Sequence, residues 1–169
     1  MKRLFIIDYK NYDESLPHSK RPSVRGIIRN NDRLAMVYSE KYHYYKLPGG
    51  GIEDKETHEE ALLREVKEET GLTVIRKSIK EYGSVLRLQK SEHFENTIFE
   101  QESFYYFCDV EDNIGKQQLD SSEAEAGFVL KHVTLEEAIS TNKSCHLSKG
   151  DKMLSREIKV LELLKNQGY

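Results

Sequence analysis

The stretch Leu47–Leu72, LPGGGIEDKETHEEALLREVKEETGL, places a dense group of acidic residues directly behind three consecutive glycines. From Gly50 to Leu72 it contains eight acids and three bases, a net charge of −5, whereas the whole chain of 169 residues has a net charge of −3. Side chains of like charge at this density repel one another unless a cation or solvent offsets them. The segment therefore indicates either a cation-binding site or a solvated helix face.

The middle of the stretch predicts an α-helix over about residues 58–69. Thr57, followed three residues later by Glu60, fits a capping box, in which each side chain bonds the other residue's backbone N–H. Gly71 suits the left-handed backbone position just past a helix end, where other residues are strained. These local signals bound the helix on both sides.

Three carboxylates gather on one side of this predicted helix. At about 100° per residue, Glu65, Glu68 and Glu69 fall within an arc of about 100° beside an apolar face. Hard divalent ions such as Mg²⁺ prefer carboxylate oxygens, and the glycines at 49–51 let the backbone approach a ligand closely. The charge pattern alone also fits a solvated face, on which Arg64 and Glu68 form an ordinary i,i+4 pair.

The spacing of the fixed residues across this segment resembles the Nudix box. Its 23 positions run Gly50, five residues, Glu56, seven residues, and then Arg64-Glu65-Val66-Lys67-Glu68-Glu69-Thr70-Gly71-Leu72. Every specified position of that pattern is occupied, including the aliphatic positions Val66 and Leu72. The resemblance implies the fold class α/β (α+β), as an α/β/α sandwich with a mixed β-sheet in which the box forms a loop–helix–loop metal site.

The resemblance also implies roles for individual residues of the box. It assigns metal binding to the backbone carbonyl of Gly50 and to the carboxylates of Glu65, Glu68 and Glu69. Arg64 is implied to orient the neighbouring glutamate, as a catalytic residue together with Glu65 and Glu68, and Glu56 to support the loop. The implied cofactor is Mg²⁺ or Mn²⁺. The implied reaction is metal-assisted attack of water on a phosphoanhydride of a nucleoside diphosphate linked to another group.

The resemblance further implies a catalytic acid on a loop outside the box, acting as a base or as an additional metal ligand. Glu123 and Glu125, in SSEAEAGF before a predicted strand, are the leading candidates, with Glu100 and Glu102 behind them. Loop acids near a cleft are also common as plain surface residues, so both interpretations stay open at this point.

Candidate substrate contacts lie before the box. Arg25 and Lys41 carry positive charges that suit phosphates, and Tyr45, in the HYYK run, has a ring that suits stacking on a base. The same tyrosine also fits a structural place on a strand. The substrate is expected to be a small nucleotide, with a preference for nucleoside or deoxynucleoside triphosphates, because the motifs of other Nudix groups are missing and no proline follows Pro48. The alternatives are a hydrolase of nucleotide sugars or dinucleotides and a non-catalytic nucleotide-sensing Nudix module.

The rest of the chain predicts a single Nudix domain over residues 1–169, with the box at 50–72. A hairpin of Val24–Ile28 and Leu34–Tyr38 precedes the box, and polar connections are predicted at 10–21 and 89–100. The other predicted strands are 3–9, parts of 73–88, 103–110 and 127–133, and the other predicted helices run from 135 to about 140 and over 151–166.

Composition narrows the class of partner and the compartment. A net charge of −3 with both signs mixed along the chain argues against a nucleic-acid polymer or a membrane as partner. The apolar run Leu4–Ile7 is too short for a signal peptide, and Cys108 and Cys145 show no metal spacing, which favours reduced thiols in the cytoplasm. The apolar stripe of the last predicted helix fits either core or an interface, so a homodimer is compatible with the sequence.

Overall fold

The computed structural model of the chain describes residues 1–145 and 151–169. Its strands are β1 (Arg3–Asp8), β2 (His18–Lys20), β3 (Ser23–Ile27), β4 (Arg29–Asn30), β5 (Arg33–Ser39), β6 (Tyr44–Lys46), β7 (Leu72–Val74), β8 (Lys80–Lys90), β9 (Ile98–Phe107), β10 (Val110–Ile114) and β11 (Phe128–Val133). Its helices are α1 (His58–Thr70), α2 (Ser121–Glu125), α3 (Leu135–Ser144) and α4 (Asp151–Asn166), and Arg76–Ser78 form one turn of 3₁₀ helix.

Two main sheets form the middle of the molecule. In the first, β1 pairs in parallel with β8, β8 pairs antiparallel with β9, and β9 pairs in parallel with both β2 and β3. In the second, the antiparallel partners of β5 are β11, β4 and β6. The short strands β7 and β10 form a separate antiparallel pair. The mixture of parallel and antiparallel pairs confirms the predicted fold class.

The predicted hairpin before the box is only partly correct. The strand Ser23–Ile27 pairs with β9 in the first sheet, and the chain then crosses to the second sheet, where Arg29–Asn30 pair with β5 across a tight turn. All five residues of β3 are buried, as expected for a strand that is covered on both faces. The apolar run predicts a strand. It does not predict the partner of that strand, because β9 lies about 80 residues further along the chain.

Helix α1 forms as its local signals predict. The Thr57 hydroxyl accepts a hydrogen bond from the Glu60 N–H at 3.2 Å, and the Glu60 carboxylate accepts from the Thr57 N–H at 2.9 Å. Gly71 ends the helix in the left-handed region, with φ of 76°. A capping residue of this kind contributes about 1 kcal/mol. The buried Leu62 and Val66 face β3, so the acidic face of the helix is held in a fixed orientation.

The sheets are covered on both sides by helices. On one side, α1 packs on β3, β7 and β11 over an apolar cluster that includes Val24, Leu62 and Val66. On the other, α3 and α4 pack on β6 and on each other over a cluster that includes Val160 and Leu161. This is the α/β/α arrangement expected from the sequence. None of the helices in the described residues is long and apolar enough to cross a membrane.

Four segments differ from the sequence-based expectations. The polar connection predicted at 89–100 is shorter, because β9 already begins at Ile98, which is buried. The connection at 10–21 contains the short strand β2, and α3 continues to Ser144 instead of ending near 140. The segment around Glu123, expected to be a loop, contains the short helix α2. In the polar segments 89–100 and 10–21, residues form strands because of tertiary pairing that involves β9.

Candidate active site

The glycine loop at the start of the box lies along the edge of β3. The Gly26 N–H donates to the Pro48 carbonyl at 2.8 Å, and the Val24 N–H donates to the Gly50 carbonyl at 2.9 Å. Gly49 has φ of 138°, and a Cβ added there would lie 2.2 Å from the Val24 carbonyl oxygen. The chain can approach β3 this closely only with glycine at this position.

Arg64 ties this loop to α1. Its Nε and Nη2 each donate to the Glu56 carboxylate at 2.8 Å, and Nη2 also donates to the Gly51 carbonyl at 3.0 Å. Its Nη1 donates to Glu65 at 2.8 Å and to Glu68 at 3.3 Å. The hydrogen bonds from Arg64 hold the pKa of Glu56 below its usual value. One guanidinium group therefore fixes both the loop and the orientation of the Glu65 carboxylate.

Three carboxylates converge beside the loop. Ligand oxygens of Glu65, Glu69 and Glu123 all lie within 4.8 Å of one another, and Glu69 is only 1% exposed. Burial raises the pKa of Glu65, and the neighbouring Glu69 adds to the effect. Burial likewise raises the pKa of Glu123 to about 7, again with a contribution from Glu69. The cluster therefore has an unfavourable concentration of negative charge that a bound cation would offset.

A buried lysine contacts this cluster in addition to Arg64. The Lys46 ammonium pairs with the Glu69 carboxylate, lies 3.4 Å from the Gly49 carbonyl oxygen and sits 4.9 Å from the centre of the Phe128 ring. The Gly49 N–H donates to the other Glu69 oxygen at 2.8 Å. Lys46 was not among the residues predicted from the sequence. Strand alternation is the signal that points to it, because Tyr44 and Lys46 share the face of β6 that lines the site.

The donor set fits a hard divalent ion. The three carboxylates outnumber the two cations that pair with them, Lys46 and Arg64, and Arg64 is shared with Glu56. A further cation would offset the remaining negative charge, and oxygen-only ligands suit Mg²⁺ or Mn²⁺. A Cβ added at Gly50 would lie 2.3 Å from a Glu65 carboxylate oxygen, so the glycine leaves the space that this carboxylate occupies. The Gly50 carbonyl accepts one hydrogen bond from Val24 and has a second lone pair for another partner.

Helix α2 brings Glu123 to the cluster from a distant part of the chain. The Asp120 carboxylate accepts from the Glu123 N–H at 2.8 Å, and the Asp120 N–H donates to the Glu123 carboxylate at 3.0 Å. The preceding segment is anchored to α1 itself, because the Gln118 N–H donates to the Glu68 carbonyl at 2.8 Å. The placement of Glu123 therefore depends on contacts with the end of the box helix.

The cluster lies in a space of about 500 Å³ that we call the acidic cleft. Arg25 lines it and is 7% exposed, and its Nε and Nη1 atoms are buried without a hydrogen-bond partner among the described residues. A buried guanidinium with unused donors is a ready partner for phosphate oxygens. A larger depression of about 660 Å³ lies on the other side of α1, but the three clustered carboxylates do not line it. We therefore take the acidic cleft, and not this larger depression, as the candidate active site.

The acidic cleft brings together most of the residues predicted from the sequence. Those that line it are Arg25, Gly50, Glu65, Glu69, Glu123 and Glu125. Lys41 lies at its rim, where its ammonium group is 2.5 Å from the Glu125 carboxylate. Glu125 is thus turned to a surface ion pair, while Glu123, two residues earlier, is turned to the cluster.

Tyr45 differs from its prediction as a substrate contact. It is buried in the main apolar core, with its ring 4.7 Å from that of Tyr38 between centroids, and it does not line the acidic cleft. Because side chains alternate along β6, Tyr44 and Lys46 face the cleft and Tyr45 faces away. Tyr42 lines the cleft as well as Tyr44, and of these two tyrosines Tyr42 is the less buried.

Three other predicted acids lie outside the cluster. The Glu68 carboxylate is turned to Arg64 and is not part of the group formed by Glu65, Glu69 and Glu123. Glu100 and Glu102 both lie on β9, in ion pairs with residues of β2 and β1 respectively. Of the three acids predicted to share one side of α1, Glu65 and Glu69 therefore lie in the cluster. Arg64 pairs with Glu68 and keeps its carboxylate apart from them.

Comparisons with known proteins agree with this geometry. The family model described as the NUDIX domain matches residues 19–154. The putative 8-oxo-dGTP diphosphatase YtkD of Bacillus subtilis (strain 168) is 39% identical over 118 residues, which are 70% of this chain and 66% of that protein. Nudix hydrolase 8 of Arabidopsis thaliana is 28% identical over 157 residues, which are 89% of this chain and 38% of that protein. In both cases the match spans less than two thirds of the relative's length.

Solved structures show the same fold at low sequence identity. A NUDIX hydrolase from Nitrosomonas europaea superposes with a TM-score of 0.57 and 17% identity, covering 83% of this chain and 87% of that one. The MutT NUDIX hydrolase from Burkholderia pseudomallei superposes with a TM-score of 0.52 and 16% identity, covering 70% of this chain and 86% of that one. With an intact box at Gly50–Leu72 and a family match over most of its length, the chain belongs to the Nudix family.

Proposed function

We propose that residues 1–169 act as a divalent-metal-dependent hydrolase of a phosphoanhydride bond in a nucleoside diphosphate derivative. The observation that carries the proposal is the convergence of Glu65, Glu69 and Glu123 in one cleft with the unpartnered guanidinium of Arg25. Carboxylates that hold a cation and an arginine that holds phosphate are the two parts that such a reaction requires.

Each part of the cleft has a role in this proposal. Glu65, Glu69 and Glu123 hold Mg²⁺ or Mn²⁺, which supplies charge neutralisation at the phosphates and acidification of water. Arg25 donates its free N–H groups to phosphoryl oxygens. Tyr42 offers its ring to the base at the edge of the cleft. Arg64 acts through Glu65, whose carboxylate it orients.

A nucleoside or deoxynucleoside triphosphate is the proposed substrate. The Bacillus subtilis relative, whose name describes an 8-oxo-dGTP diphosphatase, supports this choice. RNA pyrophosphohydrolases, such as that of Aliivibrio fischeri (strain MJ11), match only 31% of this chain, at 44% identity. Nucleotide sugars and dinucleotides are the alternatives for the same chemistry. The cytoplasmic location and the homodimer stay predictions.

The proposal is tested by incubating the purified protein with Mg²⁺ or Mn²⁺ and a panel of substrates. The panel contains NTPs, dNTPs, nucleotide sugars and dinucleotides, with products identified by mass and the attacked phosphorus located with ¹⁸O-labelled water. We expect metal-dependent release of pyrophosphate from a triphosphate, abolished by EDTA. Binding of nucleotides without turnover of any of them would instead support the non-catalytic sensing module.

The two acids of α2 provide a matched pair of variants. Glu123→Gln is expected to lower kcat at least about tenfold, because it removes one carboxylate from the buried cluster. Glu125→Gln is expected to change kcat less than about twofold, since its carboxylate is exposed and pairs with Lys41 at the surface. Steady-state rates at saturating metal measure both. An equal loss in the two variants, or a loss only in Glu125→Gln, would assign the out-of-box acid differently.

A further inference from the structure

A second pocket opens directly beside the acidic cleft, and we call it the Arg87 pocket. It has a volume of about 240 Å³ and lies between the end of β8, the start of β9 and the start of α4. The residues of its lining that matter here are Arg21, Arg87, Gln89, Glu92, Gln101 and Lys152. Arg21 and Gln101 also line the acidic cleft, so the two spaces adjoin at these residues.

Positive charge in the Arg87 pocket is not balanced by acids. Its one acid, Glu92, pairs with Lys152 at 2.7 Å, and neither Arg21 nor Arg87 has an ion-pair partner within the part of the chain that the structure describes. Arg87 donates to the Gln101 side-chain oxygen at 3.0 Å, while its Nε is buried without a partner. The pocket therefore carries an excess of cationic groups.

A second guanidinium shares the acceptor of Arg87. Arg156 is only 1% exposed and donates to the same Gln101 oxygen at 2.9 Å, and its own acidic partner is Glu157 at 3.1 Å. Burial, together with the charge of Arg156, lowers the pKa of Arg87 to about 10. One amide oxygen therefore serves both guanidinium groups, and the Nε of Arg87 has no acceptor among the described residues.

A buried amide lines the same space. Gln89 is 6% exposed, and its side-chain oxygen has no hydrogen-bond partner among the described residues. This oxygen is an acceptor that needs a donor, whereas the buried Nε of Arg87 is a donor that needs an acceptor. Unpartnered polar groups are costly when buried, so Arg87 is the residue that indicates a ligand that accepts hydrogen bonds.

The chemistry of the lining favours an anion over a base. The Arg87 guanidinium lies 5.1 Å from the centre of the Phe99 ring, so the face of this ring is covered by a cation. A guanidinium fork with a neighbouring lysine matches the geometry of a phosphate group, to which arginine binds in a bidentate manner. Tyr42, which we propose contacts the base, lines the acidic cleft and not this pocket.

We propose that the Arg87 pocket binds a second phosphoryl group of the substrate, separate from the phosphoanhydride held in the acidic cleft. This inference rests on the proposed function, and it narrows the substrate to a nucleotide that carries an additional phosphate. That phosphate belongs either to a mononucleotide, as a monoester on the ribose, or to the first internucleotide linkage of an oligonucleotide. In both cases one ligand reaches from the acidic cleft past Arg21 and Gln101 into the adjoining Arg87 pocket.

The pocket itself is tested without turnover. Binding of inorganic phosphate is measured by calorimetry in EDTA, so that no divalent ion contributes, for the wild type and for Arg87→Gln, Arg87→Lys and Arg29→Gln. Arg29 is exposed on the β4–β5 hairpin and controls for the loss of one charge. We expect Arg87→Gln to raise the Kd for phosphate at least tenfold, Arg87→Lys to raise it less, and Arg29→Gln to leave it within twofold.

The results of this binding test distinguish a phosphate site at Arg87 from a general effect of charge or folding. An unchanged Kd in Arg87→Gln, or equal weakening by Arg29→Gln, overturns the assignment of the pocket. Melting curves show whether each variant is folded, and Arg87→Lys keeps the test valid if Arg87→Gln is not. Since no hydrolysis is involved, a protein that binds phosphate at Arg87 but cleaves nothing would contradict the proposed function and leave the pocket standing.

The source of the phosphate is tested with metal present. KM is compared for a nucleoside 5′-triphosphate, its 3′-phosphorylated form and a 5′-triphosphorylated dinucleotide. We expect an added phosphate to lower KM in the wild type at least fivefold and to have no such effect in Arg87→Gln. A benefit from the 3′-monoester alone identifies a mononucleotide, and a benefit from the dinucleotide identifies an oligonucleotide end. Equal KM values for all three in the wild type would refute the narrower substrate class.

Discussion

Glu65→Gln is expected to lower turnover by about 10²–10³-fold while the protein stays folded. The substitution removes one negative charge from the cluster with Glu69 and Glu123, and with it one of the three carboxylates that we propose hold the divalent ion. The amide keeps an oxygen that accepts the hydrogen bond from Arg64, so the loop stays attached to α1. Since burial beside Glu69 disfavours the charged form of Glu65, neutralising it does not cost folding stability.

Glu59→Gln is the matched control, because Glu59 lies on the same helix and makes an ion pair of 2.7 Å with Arg76 on an exposed face. Turnover, melting temperature and Mn²⁺ affinity are measured for both variants. The control is expected to match the wild type in all three, and Glu65→Gln only in melting temperature. Wild-type Mn²⁺ affinity in Glu65→Gln would show that the ion is held elsewhere.

Glu69→Gln is expected to lose at least as much activity as Glu65→Gln, but for two reasons that act together. Its carboxylate is almost fully buried and pairs with Lys46, itself 7% exposed. Removing the charge leaves the Lys46 ammonium buried without its partner, which destabilises the fold as well as the metal site. Glu65 is therefore the better position for separating catalysis from stability.

The parts of the site that depend on local sequence were predictable. Thr57 and Glu60 act at the first turn of α1, and Gly71 acts at its last turn. The extent of the helix therefore follows from residue type and spacing alone. The position of Glu65 on the face beside the glycine loop follows in turn from helical geometry. No knowledge of the rest of the fold is needed for either step.

Tertiary contacts decide which of the candidates outside the box reach the site, and local sequence does not show this. Glu123 reaches the cluster because the segment before α2 is hydrogen-bonded to the end of α1, about 50 residues away in sequence. Arg25 and Arg87 line adjoining spaces only because β3 and β8 both pair with β9. The ring of Tyr45 suits a base, but strand alternation on β6 decides that Lys46 faces the site instead.

The three adjacent glycines of the loop have different surroundings, and this difference yields the second large effect. Gly49→Ala is expected to destabilise the protein by about 2–4 kcal/mol, because the new Cβ would meet the Val24 carbonyl at 2.2 Å and the residue would keep a φ of 138°. The obstacle is backbone of a buried strand, which cannot move aside without breaking the pairing of β3 with β9.

Gly50→Ala and Gly51→Ala serve as its matched controls. A Cβ at Gly50 would meet the end of the Glu65 side chain at 2.3 Å, which can rotate away, so activity is expected to fall much more than stability. A Cβ at Gly51 meets nothing within 4 Å, so stability should change by less than about 0.5 kcal/mol. Urea unfolding and kcat of the three variants test this order. If Gly49→Ala proved as stable as Gly51→Ala, the close approach of the loop to β3, and with it the position of the whole site, would be wrong.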